Sequence, residues 1–239
     1  MSVHFDREVY FNTVRGPMFG GSMTEGQVIG QEAILLGWET NPLSDDLRHP
    51  AYCLATTAHE TGHSFMPIEE YQGSKQSYGQ IDPQTGQAYF GRGYVQLTHR
   101  ENYVKATAEL ELMGGDDLEW HAERALDPHI ASDVMYYGMM EGWFRPPNNL
   151  PKFFGPSSDD SYGAREIING DKHIIPSWSD GVSIGKLIAG YHAHFLDALK
   201  KSSQPKTIVD LVRIAITVPD GLSLTVMVND HVVVSDHPT

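Results

Sequence analysis

Residues 50–65, PAYCLATTAHETGHSF, constrain this chain more than any other stretch. Pro50 suits a first helical position, where its missing N–H is no loss. Ala51, Leu54, Ala55, Ala58, Gly62 and Phe65 then recur at helical spacing and fall on one stripe. Glu60 lies on the opposite side, with His59 and His63 beside it. The pattern predicts a helix that buries a face of small residues and turns a carboxylate outward to a cleft. Met66-Pro67 should end it, because a residue before proline is pushed out of the helical region.

Helical patterning continues along most of the chain. A helix is expected from Thr98 or Arg100 through Leu112 to the Gly114-Gly115 break, another over 128–142, and a last one over 183–199. Between the first two of these four helices, Ser77–Ile81, Asp82–Gly86 and Gln87–Phe90 read as strand, turn and strand. Residues 144–154, containing PPNNLP, read as a loop over that cleft. KKSSQPK, 200–206, is the one compositional break. Beyond it, β-branched residues punctuated by Pro219-Asp220-Gly221 and Asn229-Asp230 predict three short strands. The expected organisation is a mainly α (α+β) domain over 1–200, a linker over 201–206 and a short β extension over 207–239.

Composition narrows the function. The chain has 239 residues, enough for one sizeable core and a small appendage. A net charge of −14 argues against a nucleic-acid partner, since phosphates would be repelled; a neutral polymer such as a glycan fits better. No apolar run approaches the ~18 residues of a membrane span. The N-terminal MSVHFDREVYFNTVR has no apolar stretch of the secretory kind, so a cytoplasmic protein in the producing cell is expected. Cys53, the only cysteine, rules out an internal disulfide framework.

His59-Glu60-Thr61-Gly62-His63 supports three readings. It matches H-E-x-x-H, in which two histidines a helical turn apart grip zinc and the glutamate acts as base. Zinc needs a third ligand, and in the pattern that continues H-x-x-G-x-x-H that place falls on Glu69, but Met66 stands where glycine is required. In the second reading Glu60 is the acid of a glycoside hydrolase, which needs an opposing carboxylate across a cleft. Glu69 and Glu70 follow just past the helix and are available for it, although two adjacent acids on a loop are also an ordinary solvated surface. The third reading is a purely structural helix.

The residues downstream favour the second. Tyr89-Phe90-Gly91-Arg92-Gly93-Tyr94-Val95-Gln96-Leu97-Thr98-His99-Arg100-Glu101-Asn102-Tyr103 resembles the signature of family 19 glycoside hydrolases, a group of chitinases and related peptidoglycan-degrading endolysins. That family also carries H-E-T or H-E-S on a helix upstream. FGGSMTEGQ (19–27), GWF (142–144) and GAREIING (163–170) before IAGYHAHF extend the likeness over about residues 5–198.

The resemblance implies a lysozyme-like, two-lobed domain with a substrate groove and a small hairpin. It implies Glu60 as general acid and Glu70 or Glu69 as second carboxylate, with Glu70 preferred for its Glu-Tyr pair. Thr98 takes the place of the residue that helps hold the attacking water. Gln96 and Asn102 match polar groove residues of that family and Asn169 its substrate-contacting Asn; Tyr78, Tyr94 and Arg92 are expected on the cleft wall, with Arg92 alternatively pinning the loop, and His59 is expected to contact substrate. The reaction implied is hydrolysis of β-1,4 links between aminosugars with inversion and no metal or other cofactor, the carboxyls standing ~6.5–9.5 Å apart. A monomer acting on a polysaccharide wall after release is expected, with peptidoglycan ahead of chitin. The rivals are a zinc metallopeptidase using His59, Glu60 and His63, and a glycan-binding protein without activity.

Overall fold

The computed structural model describes residues 3–205, 224–228 and 231–236. By internal contacts the chain divides into Met1–Pro205 and Lys206–Thr239. Within the first unit, β1 (Val3–Phe5) leads into α1 (Arg7–Phe19), which Asp6 caps by accepting from the Val9 N–H. α1 stops at Gly20 in the left-handed conformation, and α2 (Glu25–Thr40) starts in a capping box. There the Thr24 hydroxyl accepts from Gln27 N while the Gln27 side chain accepts from Thr24 N. FGGSMTEGQ is therefore a helix stop followed by a helix start.

The remaining elements are α3 (Arg48–Glu60), β2 (Ile68–Glu69), β3 (Arg92–Gly93), α4 (Arg100–Glu109), α5 (Pro128–Glu141), α6 (Leu150–Phe153), β4 (Phe154–Gly155), β5 (Ser158–Asp159), α7 (Ile184–Ser202) and β6 (Ser203–Pro205). β6 pairs antiparallel with β1, Val3 opposite Pro205, so the two ends of the unit close on each other.

Two hydrophobic cores sit side by side. The larger gathers Phe5, Tyr10, Leu35, Leu54, Phe65, Met135, Phe154, Ile188 and Phe195 from β1, α1, α2, α3 and the turn after it, α5, β4 and α7. The smaller holds Tyr89, Leu97, Tyr103, Leu118, Ile130 and Val134. α5 is the shared wall: Ala131, Met135 and Met139 face the larger core, Ile130 and Val134 the smaller. The fold is mainly α with small two-stranded sheets, and its two cores make it two-lobed.

Several expectations need correcting. α3 is buried all round over 49–58 and has no polar side until His59, because α2, α5 and α7 all pack against it. It ends at Glu60, well before Met66-Pro67. The expected hairpin over 77–90 is not built: Ser77–Gly79 is a 3-10 turn, and one bridge, Ile81 with Ala88, brackets the Asp82–Gly86 turn. The sheet at this place is β2 with β3, Ile68 opposite Gly93 and Glu69 opposite Arg92. Residues 201–205 are not linker but the end of α7 and β6. α6 interrupts the expected 144–154 loop, since Asn149 caps it by accepting from Lys152 N.

In the second unit, β7 (Leu224–Val228) and β8 (His231–Asp236) pair antiparallel with a bulge between Val226 and Met227. The first of the three strands expected there lies outside the described residues.

Candidate active site

The end of α3 is fixed by a local hydrogen-bond trap. Thr61 Oγ1 donates to Thr57 O (2.7 Å) and accepts from Phe65 N (3.0 Å). His63 N reaches back to Ala58 O (2.8 Å) around Gly62 at φ +56°, a left-handed helix stop. The turn drops Phe65 into the larger core against Phe19 and Phe195. Gly30 of α2 makes room, since a Cβ there would lie 1.7 Å from Phe65 O. A core helix thus surfaces at its last two residues, His59 and Glu60.

Glu60 meets a clamp. Its Oε1 accepts from Arg165 Nη1, and Arg165 is 3% exposed. The same guanidinium grips Asp171 in a fork, Nε to Oδ1 at 2.6 Å and Nη2 to Oδ2 at 2.9 Å. Burial opposes the charge on both partners and is outweighed on both. Arg165 is held above its ordinary pKa by the bonds to Asp171 and Glu60. Asp171 is held below its own by Arg165. His59 is pulled down, first by burial and then by the Arg165 charge, which favours a neutral ring.

Glu69 and Glu70 diverge because successive residues of an extended strand point to opposite sides. Glu69, half exposed, pairs with Arg92 Nε (3.1 Å). Glu70 points the other way: Oε1 accepts from Tyr78 Oη (2.6 Å) and Oε2 from Gly91 N (3.1 Å). The bond to Glu70 raises the Tyr78 pKa, followed by smaller contributions from burial and charge. Around Gly91 the side chains crowd closely: a Cβ would stand 2.8 Å from Gln96 Oε1 and 3.2 Å from Thr98 Oγ1. Glu70, Gln96 and Thr98 are therefore gathered at one glycine. Thr98 Oγ1 donates its proton to Gln96 O (2.7 Å), leaving its lone pairs to accept.

The structure brings Glu70, Tyr78, Gln96 and Thr98 together, and Glu60 with His59. Glu60 extends a helix of the larger core, whereas Leu97 and Tyr89, which flank the Glu70 cluster in sequence, belong to the smaller. Arg92 is a buried tie, donating to Ala88 O and Tyr103 Oη and lying over Phe90, so it pins the loop. Asn102 likewise braces the start of α4 by donating to Thr98 O (2.7 Å). Tyr94 corrects the reading as a cleft-wall residue: it is wholly buried in the larger core. Asn169 is exposed, and its side chain accepts from Gly170 N.

Sequence reasoning missed Arg165 and Asp171 as site residues. Arg165 lies 105 positions from Glu60, and local spacing carries no signal that joins them. One hint was present in the sequence: an arginine among the apolar residues of GAREII, which must find partners if buried.

The H-E-x-x-H spacing does not make a zinc grip here. It relies on both histidines lying on one helix face, but α3 ends between them and His63 follows at φ +64°. His63 packs edge-on against Phe19 and Tyr191. Among the described residues no three His, Cys, Asp or Glu side chains are arranged to hold a metal ion. What the site offers is a pair of separately anchored carboxyls, the equipment of acid–base chemistry.

No protein-family profile and no curated protein matches the chain. Solved structures do. Chitinase C from Streptomyces griseus superposes with a TM-score of 0.53 at 18% identity, covering 84% of this chain and 79% of that one. A bacterial family 19 chitinase aligns with a TM-score of 0.43 at 20% identity, covering 82% of this chain and 94% of that one. The class IV family GH19 chitinase from Zea mays gives 0.41 at 18%, with 84% of each chain covered. The fold of this chain is of the family 19 glycoside hydrolase type.

Proposed function

We propose that this protein is a glycoside hydrolase that cuts β-1,4 links between aminosugars with inversion, using Glu60 as acid and Glu70 as base. The observation that carries the reading is the pair of separately anchored carboxyls. Glu60 is held on the larger lobe by Arg165, itself gripped by Asp171; Glu70 is held by Tyr78 and Gly91 beside the smaller one. Glu60 hands a proton to the glycosidic oxygen as its bond to the anomeric carbon breaks. Water attacks that carbon from the opposite face and gives a proton to Glu70. Thr98 is suited to orient the water: its own proton is committed to Gln96 O, so its oxygen accepts one water hydrogen while Glu70 accepts the other.

Glu69 is the weaker choice for base, since Arg92 already occupies it. Peptidoglycan is favoured over chitin because the span from Glu60 to Glu70 is one turn plus β2, resembling lysins more than plant chitinases with their longer loops. The fold shared with chitinases keeps chitin as the second substrate. The working form is a monomer acting on a polysaccharide without a cofactor. Product analysis on purified peptidoglycan and chitin oligomers tests the reading. Reducing ends from either polymer, lost in Glu60→Gln and Glu70→Gln, support it; cleavage by either variant at the wild-type rate overturns the corresponding assignment.

A further inference from the structure

The loop that follows Asp171 carries an apolar surface that the hydrolytic step does not use. Ile174, Ile175 and Trp178 are 57%, 58% and 63% exposed, and Val182 is also open to solvent. Four such side chains within nine residues form a patch that the surface of a chain with net charge −14 does not otherwise require.

The loop is well ordered by its own backbone. Ile184 N donates to Ile174 O (2.9 Å) and Gly185 N to Lys172 O (3.1 Å), closing its root. Inside it, Ser179 N and Oγ both donate to Pro176 O, and Val182 N to Ser179 O. Asp180 and Gly181 turn through positive φ, and Ser179 is buried beneath. This scaffold holds the tryptophan outward in the free protein.

The loop is also continuous with the site. Asp171, the residue just before it, is the carboxylate that holds Arg165 and through it Glu60. Exposed Asn169, His173 and Ser177 lie along the same segment and supply hydrogen-bonding groups beside the apolar ones. A flat aromatic ring amid polar groups matches a pyranose, which has an apolar face of C–H bonds and a rim of hydroxyl and acetamido groups. We infer that Trp178, flanked by Ile174 and Ile175, is a sugar-stacking platform that binds units of the β-1,4-aminosugar chain beyond those at the bond being cut. This deepens the proposed function and rests on it for the identity of the ligand.

The test compares Trp178→Ala and Trp178→Phe with wild type on a short and a long chitin oligosaccharide. Binding of the same oligomers to Glu60→Gln protein, with and without Trp178→Ala, is measured by calorimetry. The expected result is a loss of about tenfold in kcat/KM and in affinity for the long oligomer, little change for the short one, and recovery with phenylalanine. Equal losses at both lengths, or none, overturn the platform. So does a concentration-dependent dimer that Trp178→Ala dissolves, since the patch would then meet a second copy. If wild type cuts neither these oligomers nor purified peptidoglycan yet the Trp178-dependent binding persists, the hydrolase reading fails and the platform stands.

Discussion

Replacing Arg165 by glutamine would expose how the acid is held. Arg165 is almost fully buried, and its partners Glu60 and Asp171 have side chains only 19% and 22% exposed. Removing one member of a buried ion pair costs about 3–5 kcal/mol, because the other charge stays behind unpaired. Partial solvation of both carboxyls puts this site near the low end, about 3 kcal/mol. In a unit of this size that lowers Tm by about 6–12 °C. The loss should depend on pH with a definite sign. Asp171 has its pKa depressed in the folded protein, so it contributes stability above its unfolded value of 3.8 and loses it as pH falls further. Without Arg165 that contribution vanishes. The gap between variant and wild type is therefore full at neutral pH and narrows below about pH 4. Paired urea titrations at neutral pH and near pH 3 read it directly. The same variant should lose about 100-fold in kcat, since a misplaced catalytic group costs that much. A gap of equal size at both pH values would mean that Arg165 only fills space, and the clamp would be wrong.

Other outcomes follow from individual contacts. Tyr78→Phe removes the 2.6 Å bond that orients Glu70, and kcat should fall several-fold with KM little changed; an unaltered kcat would remove Tyr78 from the mechanism. His192 packs edge-on against Tyr52 and tilted against Phe154, and burial pushes its pKa down to about 4. Its proton binds more readily in the unfolded chain, so stability should decline by about 3 kcal/mol from pH 6.5 to pH 4. His192→Phe should flatten that part of the profile, and an unchanged profile would contradict the assignment. Gly30→Ala should lower Tm strongly, because its Cβ would lie 1.7 Å from Phe65 O. Gly190→Ala, in open space on α7, should raise stability by about 0.5–1 kcal/mol. Both are checked by thermal unfolding.

The parts of this account visible in the sequence were those carried by local chemistry. Pro128 after Asp127 set the start of α5, and Gly142 its end. The helical stripe of 51–58 located α3, but periodicity could not show that Thr56 and Thr57 would be buried as well, because neighbouring helices decide that. The hairpin over 77–90 failed for a similar reason. The backbone of 68–70 pairs with that of 91–93 instead, Glu69 opposite Arg92 and Glu70 N bonded to Gly91 O. Glu60, Glu70, Thr98 and Gln96 were readable as candidates from the motif. Arg165 and Asp171 were not, since only the tertiary fold brings α3 against the loop that carries them.

The central claim is direct displacement by water between two carboxyls, and the anomeric form of the first product tests it most directly. Proton NMR during early hydrolysis of a β-1,4-linked aminosugar oligomer distinguishes the two stereochemical courses before mutarotation blurs them. The account predicts the α anomer from wild type and no product from Glu60→Gln. A β anomer at the earliest times would mean retention, and Glu70 could not then be the base that activates water.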